Sequence, residues 1–189
     1  MKKFSMLGVA LAMAAGVAMA GEVKSGLQPG DSVGAFTVEK VCGNPNDGIA
    51  DGKSLCYRCN LGSKPVVMVF SRKADANLAA LIKELDAKLP QHKDKKLSAF
   101  VNLIGSKDAA ELKATAKKFG ESNKSENVAI VVPSDSENGP EDYKLNPEAE
   151  VTVLIYKEGK VAANHAFAAG KLDKSAISSV IADTAKILN

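Results

Sequence analysis

Pro65-Val66-Val67-Met68-Val69-Phe70 is an unbroken apolar run of strand length, bounded by Lys64 and Ser71. Such a run belongs to a strand covered on both faces, because a half-exposed strand alternates. Working outward, Leu78, Leu81, Ile82, Leu85 and Leu89 make one helical stripe, stopped by Pro90. Leu97 to Ile104 reads as a second buried strand. Ser106 is the expected cap of a second helix carrying Ala109, Leu112, Ala116 and Phe119, with Gly120 as its stop. Val128 to Val132 is a third strand. Upstream, a short strand is expected over 36–41, then a loop from Cys42 to Lys64 dense in Gly, Asn and Asp. Downstream, Val151–Tyr156 and Lys160–Phe167 form a hairpin around Lys157-Glu158-Gly159. A last helix, capped by Asp173, carries Ile177, Val180, Ile181, Thr184 and Ile187. The predicted class is α/β. A βαβαβ unit with parallel strands and right-handed crossovers is followed by ββα, giving a central mixed sheet flanked by helices.

The first twenty residues read as a secretory signal. Lys2 and Lys3 precede an apolar run from Met6 to Ala18, and Ala18-Met19-Ala20 has the small-x-small form of a cleavage site. The run is short and Ala/Gly-rich for a membrane anchor. The expectation is an exported protein, periplasmic or extracellular, with no stable membrane insertion after cleavage. Residues 21–189 then form a single domain, large enough to bury a core without staples. Losing the signal's two lysines lowers the formal charge from +3 to +1, so nothing favours nucleic acid as a partner. Only Met68 of the five methionines lies outside the signal, which excludes a Met-rich copper carrier.

Three stretches, in this order, resemble the thioredoxin-like superfamily, closest to its exported thioredoxin-like and peroxiredoxin branch. They are Gly30-Asp31 through Phe36-Thr37-Val38, Lys64 through Phe70, and Val153 through Val161, continued by Gly170 and the last helix. The resemblance covers nearly all of residues 21–189. It implies a thiol site after the core strand, where a helix N-terminus stabilises a thiolate. That stretch here is Ser71-Arg72-Lys73-Ala74-Asp75-Ala76-Asn77-Leu78, with no cysteine. Asp75 stands at the nucleophile's place and is expected to be a helix cap instead; Leu78 stands at its partner's place. The family's cis-proline is replaced by Val151, where a cis bond would cost ~2.5–4 kcal/mol, so a trans bond is expected.

The cysteines present are Cys42 and the pair in Cys56-Tyr57-Arg58-Cys59, all ahead of the core strand. Four readings are open. Cys42 could be a disulfide partner of Cys56 or Cys59, closing a loop of about 15 residues and contributing ~3 kcal/mol in chain-entropy terms. Cys56 and Cys59 could be a working dithiol, with Arg58 favouring a thiolate and Cys42 as a third, resolving thiol. Three cysteines with His92 or His165 would satisfy zinc, although no second close pair is present. The odd cysteine could bridge two molecules. Asn60 after Cys59 excludes covalent haem, and Gly62-Ser63-Lys64 lacks the spacing of a phosphate cradle, so neither cofactor nor metal is expected. His165 reads as a surface or satisfied histidine, His92 as part of a Lys-rich loop, Glu141-Asp142 and Glu148/Glu150 as solvated loop carboxylates, and Tyr57 as cover for apolar surface. The functional expectation is a thiol–disulfide role through Cys56 and Cys59 on a protein thiol partner. The alternative is a non-catalytic binding or scaffold module with a structural disulfide.

Overall fold

The computed structural model describes residues 23–189; the expected signal segment lies outside them. In chain order the strands are β1 (Val38–Cys42), β2 (Ser54–Leu55), β3 (Val66–Ser71), β4 (Ser98–Leu103), β5 (Val128–Pro133), β6 (Ala149–Lys157) and β7 (Lys160–Ala168). The helices are α1 (Tyr57–Leu61), α2 (Ala76–Lys88), α3 (Ala109–Asn123) and α4 (Lys174–Asp183). One sheet holds all the strands in the order β2-β1-β5-β4-β3-β6-β7. β3, β4 and β5 are parallel; β6, β7, β1 and β2 join antiparallel. The βαβαβ unit and the ββα unit therefore share β3 as their common spine.

The run that opened the reading is buried at every residue, on both faces. Val67 and Val69 face α2, α3 and α4 in a cluster with Leu78, Leu81, Phe119 and Val180. Val66, Met68 and Phe70 face the other way, toward Phe100, Leu154 and Tyr156. Among the described residues no long helix covers this second face. Leu27 and Val33 do so from irregular chain, Tyr57 from the short helix α1 and Tyr143 from a 3₁₀ turn over Glu141–Tyr143. Phe36 joins them, edge-on to Tyr143 at 5.0 Å between ring centroids.

Several expected boundaries shift. The first strand starts at Val38, not at residue 36, and the loop over 42–64 contains β2 and α1. Asp108, not Ser106, caps α3: its carboxylate accepts from the N–H groups of Ala110 and Glu111. Ser106 acts one step earlier, accepting from Asp108 N–H. Gly120 does not stop this helix, which continues to Asn123 and ends on Lys124 in the left-handed region. Glycine is required at 120 for a different reason. A Cβ there would strike the Cys42 sulfur, so glycine lets α3 lie against the end of β1.

Cys42 reaches that position through a β-bulge. Val38, Glu39 and Lys40 pair with Pro133, Val132 and Val131, but the register shifts after Lys40 and Cys42 pairs with Ile130. One inserted residue turns the side chain to the opposite face. Cys42 thus packs with Ile130 in the helix-side cluster, and its thiol donates to Ala116 O at 3.4 Å. Gly120→Ala is expected to lower stability by about 1–3 kcal/mol through overpacking, against the roughly 1 kcal/mol by which alanine favours a helix. Urea unfolding checks this, and adding Cys42→Ala should restore most of the loss.

Candidate functional site

Cys56 and Cys59 form a disulfide with a Cα–Cα distance of 5.2 Å, while Cys42 is a free thiol. A bridge from Cys42 to the pair, one of the four open readings, is therefore not formed, nor is Cys42 a neighbouring resolving thiol. The sheet lies between them. Cys42 is on the α3 side, whereas α1 lies on the second face with Leu55, Tyr57 and Leu61. Burial pushes the Cys42 thiol up to about 11, with Asp51 and Glu121 adding to the effect, so it is protonated at neutral pH.

The pair sits in local structure that the sequence did not disclose. Cys56 is the N-cap of α1, its sulfur accepting from Cys59 N–H at 3.1 Å. Gly62 closes the helix with its N–H on Arg58 O. Cys56 is half-buried; Cys59 and Asn60 are exposed. The residues between the cysteines point into the protein. Tyr57 is 3% exposed and stacks on Phe100 at 5.3 Å between centroids. Its hydroxyl donates to Asp47 Oδ2 at 2.5 Å.

Asp47 in turn receives Lys40 Nζ at 2.8 Å and Ile49 N–H at 2.9 Å on Oδ1. Lys40 is 1% exposed, and its ammonium also donates to the carbonyls of Asn44 and Ile49. An ion pair between buried Lys40 and part-buried Asp47, at the base of the cysteine loop, thus continues through one hydroxyl to the residue between the cysteines. Burial, then the Asp47 carboxylate, moves the Tyr57 phenol far above its ordinary range, so it stays a hydrogen-bond donor. Nothing in the sequence spacing flagged Lys40 or Asp47. An ammonium in a strand otherwise reading Phe36-Thr37-Val38 was the available signal.

Arg58 does not serve the sulfurs by hydrogen bonding. Its Nε donates to Val33 O at 3.0 Å, and its guanidinium meets Gly159 in the β6–β7 turn. Glu158 and Gly159 both have positive φ, as a two-residue hairpin turn requires. A Cβ on Gly159 would strike Arg58 Nη2. Because Tyr156 pairs with Val66, this turn lies at the start of β3. Cys56 and Cys59 are therefore at the N-terminal edge of β3.

The opposite edge carries no thiol. Asp75 caps α2, accepting from Asn77 N–H and Leu78 N–H at 3.0 Å each, as expected. Leu78 is fully buried. The bond before Val151 is trans, in line with the absence of cis bonds among the described residues. Glu150, read as a solvated loop group, instead lies in β6 at 8% exposure, paired with Lys73 at 2.8 Å. Burial raises its acidity constant's pKa, but Lys73 and the Gly170 N–H outweigh this and hold the carboxyl below its ordinary range.

The histidines do not join the cysteines. His165 Nε2 contacts Asp183 at 3.0 Å, and His92 follows α2 in a 3₁₀ turn. Among the described residues no three Cys, His, Asp or Glu are placed to hold a metal. A groove of about 910 Å³ runs between α2 and α4, past Lys83, Ile177 and Ile181. It lies on the helical face, away from the disulfide, and its lining includes none of the three cysteines.

No protein-family model matches the chain, and no curated protein matches it. Solved structures do. Peroxidoxin BcpB from Mycobacterium tuberculosis is 16% identical over 86% of this chain and 99% of its own, with a TM-score of 0.60. AhpC from Mycobacterium tuberculosis is 14% identical over 82% and 97%, at 0.56. A thiol:disulfide interchange protein from Bacteroides sp. is 18% identical over 73% and 81%, at 0.54. The chain has the thioredoxin-like fold, as its sequence landmarks predict.

Lys40→Met leaves the part-buried Asp47 carboxylate without its cation and should cost about 2–3 kcal/mol in urea unfolding. Tyr57→Phe removes one hydrogen bond while Asp47 keeps two partners, and should cost about 1–2 kcal/mol. In the native oxidised protein at neutral pH, iodoacetamide should label Cys42 slowly, and rapidly once urea is added.

Proposed function

We propose that the protein is an exported thiol–disulfide exchange protein whose reacting pair, Cys56–Cys59, lies ahead of β3 rather than at the start of α2. The observation that carries this reading is the Cys56–Cys59 disulfide, held on the surface of a thioredoxin-like domain with a sequence separation of 3. As a staple it has little to offer. Closing so short a loop is worth about 2 kcal/mol in chain-entropy terms, less than the ~3 kcal/mol of the Cys42 bridge that is absent. The domain already buries β3 on both faces without it. Thiol:disulfide interchange among the fold's solved relatives supports the same chemistry. Export rests on the basic start, apolar run and Ala18-Met19-Ala20 of the first twenty residues. An oxidising compartment lets the bridge persist between turnovers.

The reaction is an exchange with a protein dithiol or disulfide. Oxidising a partner dithiol passes two electrons to the Cys56–Cys59 bond, and the two thiol protons end on Cys56 and Cys59. A second reading is a non-catalytic scaffold module, favoured by Asp75 and Leu78 occupying the α2 start in purely structural roles.

Equilibration in glutathione buffers, read by alkylation and intact mass, distinguishes the two. The exchange reading expects a reversible pair with a midpoint within roughly −120 to −270 mV, the span of known oxidoreductases. It also expects insulin reduction, with dithiothreitol as donor, to fall to background in Cys56→Ser and Cys59→Ser. An unchanged background rate in wild type and both variants would establish the scaffold instead.

A further inference from the structure

The two sulfurs of the bridge are not equivalent. Cys56 is half-buried and fixed from both sides. Leu55 before it pairs with Val38 at the sheet edge, and Tyr57 after it is plugged against Phe100 and bonded to Asp47. Cys59 is exposed, and so is Asn60 after it. The one hydrogen bond to either sulfur among the described residues goes to Cys56, from Cys59 N–H at 3.1 Å.

We propose that exchange proceeds through Cys59, with Cys56 as the leaving and resolving sulfur; this rests on the redox reading above. A thiolate attacks a disulfide along the S–S axis, from beyond the sulfur it strikes. The accessible sulfur is Cys59 Sγ. When a partner thiolate attacks it, the new bond joins partner sulfur to Cys59 and the Cys56–Cys59 bond breaks. Its electron pair leaves on Cys56. The Cys59 N–H, already pointing at that sulfur, stabilises the departing thiolate, and a better-stabilised leaving group departs faster. The partner's second thiolate then attacks its own bridged sulfur and releases Cys59. The partner gains a disulfide, and the protein holds two thiols.

In the reverse direction Cys59 thiolate attacks the partner disulfide. Cys56 then closes on Cys59 Sγ and expels the partner thiolate. Arg58 makes no hydrogen bond to either sulfur: its Nε donates to Val33 O, and its guanidinium lies against Gly159 in the β6–β7 turn. Buried Tyr57, by holding Cys56 still, is a positioning residue: the resolving sulfur stays in place while Cys59 carries the partner.

The test on the unaltered protein mixes its oxidised form with excess reduced glutathione. The reaction is quenched with acid at short times, the free thiols are capped with N-ethylmaleimide, and the peptides are mapped. Glutathione on Cys59 with the cap on Cys56 is the expected result. Glutathione first on Cys56, or equally on both, overturns the order while leaving the exchange function standing. If neither cysteine exchanges, the order and the redox reading fall together. Separately, Cys56→Ser should capture oxidised glutathione roughly tenfold faster than Cys59→Ser, since the exposed sulfur is the one a partner disulfide reaches. Equal or inverted rates in the folded variants count against the order.

Discussion

A six-residue strand with no exposed face sets the terms for the rest of this molecule. Val66 to Ser71 needs cover on both sides of the sheet. On one side three amphipathic helices supply it, with Leu78, Leu81, Leu85, Phe119 and Val180 meeting Val67 and Val69. On the other side no helix of comparable length lies among the described residues, and Leu27, Val33, Tyr57 and Tyr143 fold over Val66, Met68 and Phe70 instead. The cysteine-bearing segment is part of that cover. Tyr57 fills a place on the second face, stacked on Phe100. Cys56 and Cys59 flank Tyr57, so they are held at the surface directly above it.

The same requirement explains a costly device. Lys40 is buried in a strand that must face the second core, and a buried ammonium is tolerated only when paired and fully hydrogen-bonded. Asp47 and the carbonyls of Asn44 and Ile49 meet that need. In doing so they draw a Gly- and Asn-rich loop against the sheet, and the remaining oxygen of Asp47 takes the Tyr57 hydroxyl. Loop, ion pair and cysteine turn therefore form one connected unit. Lys40 thus helps, through Asp47, to hold Tyr57 between the two cysteines.

Much of this architecture was legible because it depends on local pattern. The β3 run, the α2 stripe, the Asp75 and Asp173 caps and the Glu158-Gly159 hairpin follow from periodicity and turn chemistry within a few residues. Reading failed where a partner distant in sequence decided the outcome. Gly120 looked like a helix stop, but it admits Cys42 from 78 residues upstream. Glu150 looked solvated, but Lys73 meets it across the sheet edge. Lys40 and Asp47 gave no motif, since their pairing is made by a loop closing on itself. The short helix α1 was missed because five residues with one buried side chain carry no period.

By itself the sequence determined the order of the elements from β3 to α4, the doubly buried spine, the absence of a thiol at the start of α2 and the presence of Cys56 and Cys59 ahead of β3. Only the tertiary structure decided what the three cysteines can do together. A single bulged residue after Lys40 turns Cys42 toward Ile130 and α3. Tyr57 holds Cys56 and Cys59 on the far side of the sheet. Strand pairing fixes which face a side chain occupies, and a one-residue shift reverses it. Register across the sheet, which no local spacing encodes, separated the third sulfur from the other two.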